Sequence, residues 1–562
     1  MIDMPPVAPQ VQEAQAQSRF ECGGEFITAI NFRRHRPATE HPAQEALEAA
    51  SEAAGLTRSR TNVDVLRSYM RLKVGGQCTE ADRRESERLL RAQKFVASAT
   101  VTARRVAPGR VLIRVDIVDE WPYVLGGTVQ GLRPTSVRLG SVNLKGRGTT
   151  AITSFENGRN YRTGYGLQLE QYGLVGRPAF MALTLERRPI GGTIALEASE
   201  PFITDRQRNA FHVSLIEETR YVTLARPNGD DAAVRTERAA YDITWITRVG
   251  SFGREGMVGL VGAGFMREQS RPGEESVIVS DTGIVSTRDN ELTGRYQTYT
   301  AERLGLIIGL RALDYLTVTR FSALRAAQDV GRGVQGSLFI APAVFAGNRM
   351  DVLFTGDFYG GVGNEASFVS FRAAGEARGQ AVRGPWLGTV ISAHVDWHRL
   401  PSLRRTRITS LSGAAVGRPV VPSQLTFRDF DGGLIGFPAG REAGGRRIVL
   451  RHEERMLTPW LSSRADIAVA AFADVGRIWQ GDVPYAATSP IRSSVGISLL
   501  GAVRSGKRTY RIDLALPVNP GLGDTRFAIR LGSADRTGRR WMEASDVSRT
   551  RAGAGPASLT NW

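Results

Sequence analysis

Short segments of alternating apolar and polar residues fill the chain from residue 128 to residue 532. One example lies near the end, with Tyr510, Ile512 and Leu514 on one face and Arg511 and Asp513 on the other. A period of two residues is typical of β-strands that separate two different environments. Turns rich in Gly, Pro and Asn lie between the segments. At roughly 25 residues per strand and connection, the region predicts about sixteen antiparallel strands.

The clearest pair of strands lies within residues 446–479, after a glycine-rich stretch that begins at Asp431. Its first strand carries charges such as Arg451 on one face and aliphatic residues such as Leu450 on the other. A soluble sandwich would bury the aliphatic face and leave the charges outside. One continuous series of hairpins with charges on one face instead favours a closed barrel with a polar lumen and lipid outside. We therefore predict an all-β transmembrane barrel over residues 125–533.

Composition changes this picture little. The formal net charge is +17 and the isoelectric point is about 10.4, which would ordinarily suggest a nucleic-acid partner. The basic residues are scattered singly along the alternating segments, unlike the clustered patch of a groove binder. A solvated charged face explains them, and a surface facing anionic lipid head groups would also suit them. The sequence has no run of eighteen apolar residues and so predicts no transmembrane helix.

Residues 20–124 have a different texture and predict a compact α+β domain. The expected elements, in chain order, are a strand at Phe26–Phe32, helices at residues 42–54, 63–72 and from Thr79 onward, and strands at residues 96–104 and 110–119. Thr61 or Asn62 could cap the second helix, and Thr79 caps the third. We expect residues 1–19 to be a flexible segment, either the remnant of a signal peptide or a truncated one. Residues 534–562 are expected to form a polar tail ending at Trp562.

Both cysteines, Cys22 and Cys78, lie in this N-terminal domain. In an oxidising compartment they could form a disulfide, whereas in a reducing one they would remain two thiols. The sequence leaves both alternatives open.

The N-terminal domain resembles a POTRA domain, the periplasmic module of outer-membrane assembly and secretion proteins. The likeness rests on the β-α-α-β-β order and on Glu87-Arg88-x-Leu90-Arg91 followed by Lys94-Phe95. The resemblance implies that this domain binds unfolded client polypeptide by adding a strand to an exposed sheet edge.

The barrel region resembles the BamA/TamA-type superfamily with its surface-antigen-type barrel. Residues 143–148 and 200–202 are similar to two of its turns, and Glu453-x-Arg455 and Phe472-x-Asp474-x-Gly476 to two strand motifs. Five residues correspond to the family's loop motif: Gly433, Leu434, Ile435, Gly436 and Phe437. The resemblance implies that the loop, residues 418–446, folds back into the lumen.

The loop motif departs from the family at one position. Ile435 stands where the resemblance expects an arginine that would pair with acidic residues of the wall. Two desolvated carboxylates without a cation would be costly, so Glu453 and Asp474 need another partner. We expect Arg441, or a wall arginine such as Arg451 or Arg455, to take that place.

Sites for other chemistry have little support. His394, Asp396 and His398 share one strand face, but same-face neighbours lie about 7 Å apart, which is wide for a metal site, and a polar lumenal row explains them equally well. Residues 501–508 lack the Ser or Thr that a phosphate-binding loop needs, and the glycines at 331, 333 and 336 open into a strand. We predict no catalytic, cofactor or metal residues and no enzyme, although a Ser/His/Asp site built across barrel strands stays open.

The resulting hypothesis is a bacterial outer-membrane barrel with its N-terminal domain in the periplasm. By resemblance, it would assist insertion of outer-membrane proteins or translocation of polypeptides, with unfolded clients and lipid as partners and no nucleic acid. The alternative is a passive or gated pore that retains the fold without assembly activity, which the isoleucine at position 435 favours.

Overall fold

A computed structural model of the chain describes most of its residues. They are residues 20–35, 60–130, 133–156, 164–188, 191–226, 231–252, 257–279, 284–287, 289, 291–292, 294–347, 350–380, 385–428, 432–437, 440–458, 465–503, 506–521, 524 and 526–534. The expected N-terminal segment, the helix at 42–54 and the tail beyond Ala534 lie outside the described residues.

The N-terminal unit is a mixed sheet with two helices. Its elements are β1 (Gly23–His35), α1 (Val63–Arg67), β2 (Gln77–Thr79), α2 (Glu80–Arg91), β3 (Val96–Ala107) and β4 (Arg110–Asp119). The sheet order is β2-β1-β4-β3, with β1 parallel to β4 and the other pairs antiparallel. A disulfide joins Cys22 to Cys78, whose Cα atoms lie 5.2 Å apart.

Both helices begin at predicted caps. The side chain of Asn62 accepts a hydrogen bond from the amide of Asp64, and that of Thr79 accepts one from Asp82. The helix expected over residues 63–72 is wrong in length, because it ends at Arg67. The Ser68 hydroxyl donates to the carbonyl of Val65, and the next free amide, that of Arg71, donates to Ser86 on α2 instead of continuing the helix.

The rest of the described chain forms a closed antiparallel barrel. Its first strands are β5 (Tyr123–Gln130), β6 (Arg133–Leu144), β7 (Thr149–Glu156), β8 (Gly164–Tyr172), β9 (Phe180–Arg188), β10 (Gly191–Glu200), β11 (Asn209–Leu224), β12 (Ala232–Phe252) and β13 (Met257–Val279). A 3-10 turn at Leu174–Gly176 connects β8 to β9, and β14 (Ile284–Thr287) extends β13 as a side hairpin. The ring continues with β15 (Tyr299–Val318), β16 (Gln328–Ala346), β17 (Asp351–Gly363), β18 (Ser367–Gln380), β19 (Leu387–Arg399) and β20 (Arg405–Gly417).

A small hairpin precedes the last strands. It consists of β21 (Leu425–Thr426) and β22 (Ala443–Gly444), which pair only with each other. The ring then ends with β23 (Arg446–Leu457), β24 (Ala465–Trp479), β25 (Arg492–Val503), β26 (Thr509–Pro517) and β27 (Ala528–Ala534), and β27 pairs with β5 to close it.

The expected number of about sixteen strands is wrong. Within the described residues, twenty strands form the ring. The estimate assumed connections that were too long. Only residues 189–190 separate β9 from β10, and only residues 504–508 separate β25 from β26. Short hairpin connections leave room for more strands in the same length of chain.

Candidate functional site in the barrel lumen

The barrel wall has a charged inner face and an aliphatic outer face. On β23, Ile448, Leu450 and Met456 are 46%, 42% and 45% exposed, whereas Glu453 is 3% exposed. On β24, Asp474 is buried and its neighbour Val475 is exposed. The predicted orientation of this strand pair is therefore confirmed, with the charges facing inward.

The loop between β20 and β23 packs against that inner wall. Leu434 and Phe437 form an apolar cluster with Phe427 of the loop and with Val449 and Ile478 of the wall. The glycines of the motif allow this close approach. A Cβ atom on Gly433 would lie 2.1 Å from the carbonyl oxygen of Phe427. Gly436 has a φ of 94° that disfavours any other residue.

The isoleucine of the motif belongs to the same contact surface. The Ile435 side chain packs against Phe472 of β24 and Ala515 of β26. Its backbone amide donates a hydrogen bond of 2.9 Å to the carboxylate of Asp474. The position therefore still contacts the acidic residue, but through its main chain.

A wall arginine supplies the positive charge that Ile435 lacks. Arg451, on β23, directly opposite Asp474, donates from Nε and Nη2 to its two carboxylate oxygens at 2.8 Å each. Its Nη2 also donates to the carbonyl of Gly433 at 3.2 Å. Arg451 therefore links the wall carboxylate to the loop in a bidentate, charge-assisted arrangement. Arg441, the first alternative partner, is half-buried in the loop.

The second acidic residue has two arginine partners. Glu453 accepts a hydrogen bond from Arg455, two residues along β23, and another of 2.6 Å from Arg511 of β26. Arg511 also binds Asp513 and donates to Ser498 at 2.8 Å. This buried network is satisfied by hydrogen bonds on several sides, which such charges require. Arg511 and Asp513 are functional candidates that the motif comparison missed.

A connection at the opposite end of the barrel also enters the lumen. We call residues 319–327, between β15 and β16, the strap. Leu324 packs with residues of β23, β24 and β25: Leu457, Ala468, Ala470, Leu500 and Ala502. Arg325 pairs with Asp466 at 3.0 Å, and Phe321 stacks on His398 with 4.6 Å between ring centroids. The strap therefore reaches β23, which four other strands separate from β16 in the ring, and the two strands beyond it.

The N-terminal unit covers that same end of the barrel. On α2, Arg91 pairs with Asp329 at 2.8 Å, and Asp82 pairs with Arg206 at 2.7 Å. The guanidinium of Arg88 lies 3.9 Å from the ring centroid of Tyr315. These partners lie in the connection between β10 and β11 and at the ends of β15 and β16, so α2 lies across the opening.

A lysine strengthens this docking. Lys94 pairs with Glu170 of β8 at 3.1 Å. Burial would lower the pKa of Lys94, but Tyr172 and Glu170 hold it above its ordinary value. The side chain therefore remains charged in the interface.

The motifs set aside in the sequence have structural roles. His394 lies 2.9 Å from Asp396, which also accepts a hydrogen bond of 2.6 Å from Ser410. The backbone amide of Lys507 donates to Glu120 at the junction of the N-terminal unit and the barrel. Among the described residues, no group of three or more His, Cys, Asp or Glu side chains is placed to hold a metal ion. Nor does any helix in the described ranges have the length and apolar character needed to span a membrane.

Comparison with known proteins gives structural likenesses only. No family model and no curated protein sequence matches the chain. The solved structures that resemble it include BamA from Haemophilus ducreyi lacking POTRA domains 1–3, with 14% identity, 91% of this chain and 84% of that chain covered, and a TM-score of 0.35. CdiB from Escherichia coli gives 10% identity, 91% and 76% coverage and a TM-score of 0.46. CdiB from Acinetobacter baumannii gives 10% identity, with 90% of this chain and 74% of that chain covered, and a TM-score of 0.40. The barrel assignment itself rests on the strand pairing of this chain.

Proposed function

We propose that this chain is a bacterial outer-membrane barrel of the BamA/TamA type that assists insertion of other outer-membrane proteins or translocation of polypeptides. The observation that supports the membrane location is the apolar character of the outer face of β15. Four successive outward residues, Leu304, Leu306, Ile308 and Leu310, are 56%, 48%, 48% and 50% exposed, while Arg303 on the inner face is fully buried. An apolar band of this kind is costly in water and suits lipid.

The proposed mechanism involves no covalent chemistry. The N-terminal unit would act as a POTRA-like periplasmic domain that recruits an unfolded client. Strand β2 pairs with β1 at Gly23 and Phe26. Among the described residues, no strand pairs with the rest of β1 on that side. Unpaired backbone groups at such an edge can template an added strand.

The β5–β27 pairing would provide the route into the membrane. Strand β27 has only 7 residues and β5 has 8, whereas β12 and β13 have 21 and 23. A short pairing opens at lower cost because fewer backbone hydrogen bonds break. An opened seam would offer two strand edges to a client that is folding in the bilayer.

The second candidate is a gated pore without assembly activity. The replacement of the motif arginine by Ile435 favours it, because the loop is held by a different arrangement from the one the family motif implies.

Two measurements on the purified full-length protein separate these functions. We expect proteoliposomes to speed the folding of a client barrel, followed by its heat-modifiable gel shift, and planar bilayers to show little steady conductance. Empty liposomes of the same lipid are the control. A large stable conductance with no effect on client folding would support the pore and overturn the proposal.

A further inference from the structure

A pair of arginines faces outward where β19 and β20 meet. Arg399 and Arg407 are direct cross-strand partners, and both lie on the face that carries Ile391 and Leu411 toward the outside. Like charges directly opposite each other destabilise a sheet unless something compensates them. Arg407 has a carboxylate partner, since it donates to Glu454 at 2.6 Å. Arg399 makes no ion pair with a described carboxylate.

Two further arginines extend this positive surface. Arg404 ends the connection between the strands and Arg405 begins β20; both are exposed and likewise make no ion pair with a described carboxylate. Within the same connection Leu403 is 86% exposed. An apolar side chain between cationic ones is typical of a segment lying at a membrane surface.

An aromatic residue marks the depth of the site. Trp397 faces outward two residues before Arg399, is 43% exposed, and donates its indole N–H to Ser367 at 3.1 Å. Tryptophan at this position is typical of the level where lipid chains meet head groups. The connection lies at the end of the barrel that the N-terminal unit covers, because Arg320 of the strap donates to the carbonyl of Ser402.

We infer that Arg399, Arg404 and Arg405 form a binding site for the phosphate of an anionic phospholipid. The site lies in the leaflet next to the N-terminal unit, and Leu403 inserts beside the lipid chains. Guanidinium groups bind phosphate oxygens through paired, charge-assisted hydrogen bonds, and a phosphate near Arg399 would offset its repulsion from Arg407. The inference rests on the proposed membrane location of the barrel.

Lipid binding can be measured on the intact protein in detergent by native mass spectrometry. The probe is phosphatidylglycerol, with phosphatidylcholine as the zwitterionic comparison. Replacing Arg399→Gln together with Arg405→Gln removes two cationic contacts and is expected to weaken phosphatidylglycerol binding about 30-fold. The variant Arg399→Lys with Arg405→Lys keeps both charges and is expected to retain most of the binding.

The matched control removes the same charge from the N-terminal unit. The double variant Arg33→Gln with Arg104→Gln changes two exposed arginines away from the barrel and is expected to bind like the wild type. Equal affinity of the glutamine variant at residues 399 and 405 and the wild type would overturn the inference, as would equal retention of the two lipids. Displacement of phosphatidylglycerol by millimolar inorganic phosphate would also overturn it, because the ligand would then be a free anion.

Failure of the membrane proposal gives a different result. Wild-type protein that never inserts into liposomes, judged by resistance of the barrel to protease and by heat-modifiable mobility, would refute the membrane location itself. Insertion without lipid preference would refute the lipid site alone.

Discussion

Replacing Asp474 by asparagine tests whether the wall carboxylate holds the loop in the lumen. Asp474 is 2% exposed and accepts three hydrogen bonds, two from Arg451 and one from the amide of Ile435. The change removes the negative charge and leaves the Arg451 guanidinium without its anionic partner. Breaking a buried ion pair from one side costs about 3–5 kcal/mol.

Only part of this cost falls on the docked state of the loop, because Arg451 and Asp474 both belong to the wall and one hydrogen bond to Asp474 comes from the loop. A hydrogen bond to a charged group contributes about 1.5–3 kcal/mol. At about 1.4 kcal/mol per tenfold change, the undocked fraction rises by a factor of about ten to about one hundred and fifty. The loop contains Arg428 and Arg441, where trypsin would cut once the segment leaves the lumen. We therefore expect much faster cleavage there in the folded, full-length Asp474→Asn protein.

Two variants make the result specific. Glu454→Gln removes an outward-facing carboxylate from β23, the strand next to the one that carries Asp474. It should leave cleavage of the loop unchanged. Arg451→Met combined with Asp474→Asn removes both partners, so its effect should be smaller than the sum of the two single changes. Cleavage of Asp474→Asn at the wild-type rate would refute the idea that this carboxylate holds the loop.

Three further predictions concern the N-terminal unit. Asp329→Asn removes the partner of Arg91 and should weaken docking of α2 by about 2 kcal/mol, measured as faster hydrogen exchange of the α2 amides in the intact protein, and unchanged exchange would contradict it. Hydrogen bonding from neighbouring arginines lowers the pKa of Glu80 from 4.5 to about 2, so the stabilisation is present above pH 4.5 and is lost as the pH falls toward 2. The wild type should therefore exceed Glu80→Gln in stability at pH 6 and lose that advantage over this range in acid unfolding; a constant difference would contradict the assignment. The double change Cys22→Ser with Cys78→Ser should destabilise this unit by about 2–4 kcal/mol in urea unfolding, and an unchanged midpoint would show that the crosslink is not stabilising.

The sequence was sufficient for the orientation of the wall and the location of the loop. The orientation depends on a local period of two, which residues such as Leu450 and Glu453 carry in their own strand, whereas the location of the loop was implied by the family resemblance. The number of strands was wrong because it depends on connection lengths, which alternation does not encode. The choice of Arg451 among three arginines required the register of β23 and β24, which places that residue opposite Asp474.

Other parts of the site could not be predicted because they depend on distant pairings. Arg511 lies on β26, separated from Glu453 on β23 by two strands in the ring, and only the closed curvature brings them to 2.6 Å. The strap did carry one local signal. Phe321 and Leu324 are apolar residues within a connection, which indicates that the segment packs against something. Nothing in the local pattern says that its partner is the wall beyond β20.

The segments that obstruct the barrel lumen at its two ends bear on whether insertion or translocation is the better hypothesis. Passage through the lumen would require movement of the loop held at Asp474 and of the strap held by Leu324 and Arg325, as well as release of α2. Each of these contacts combines buried apolar surface with ion pairs, so their costs add. Opening the β5–β27 seam breaks no more than about seven backbone hydrogen bonds, each contributing about 0.5–1.5 kcal/mol net. The proposed lateral route would therefore break one set of contacts where an axial route would break three, and it would deliver a client strand into lipid. On this comparison we favour insertion over translocation for this barrel.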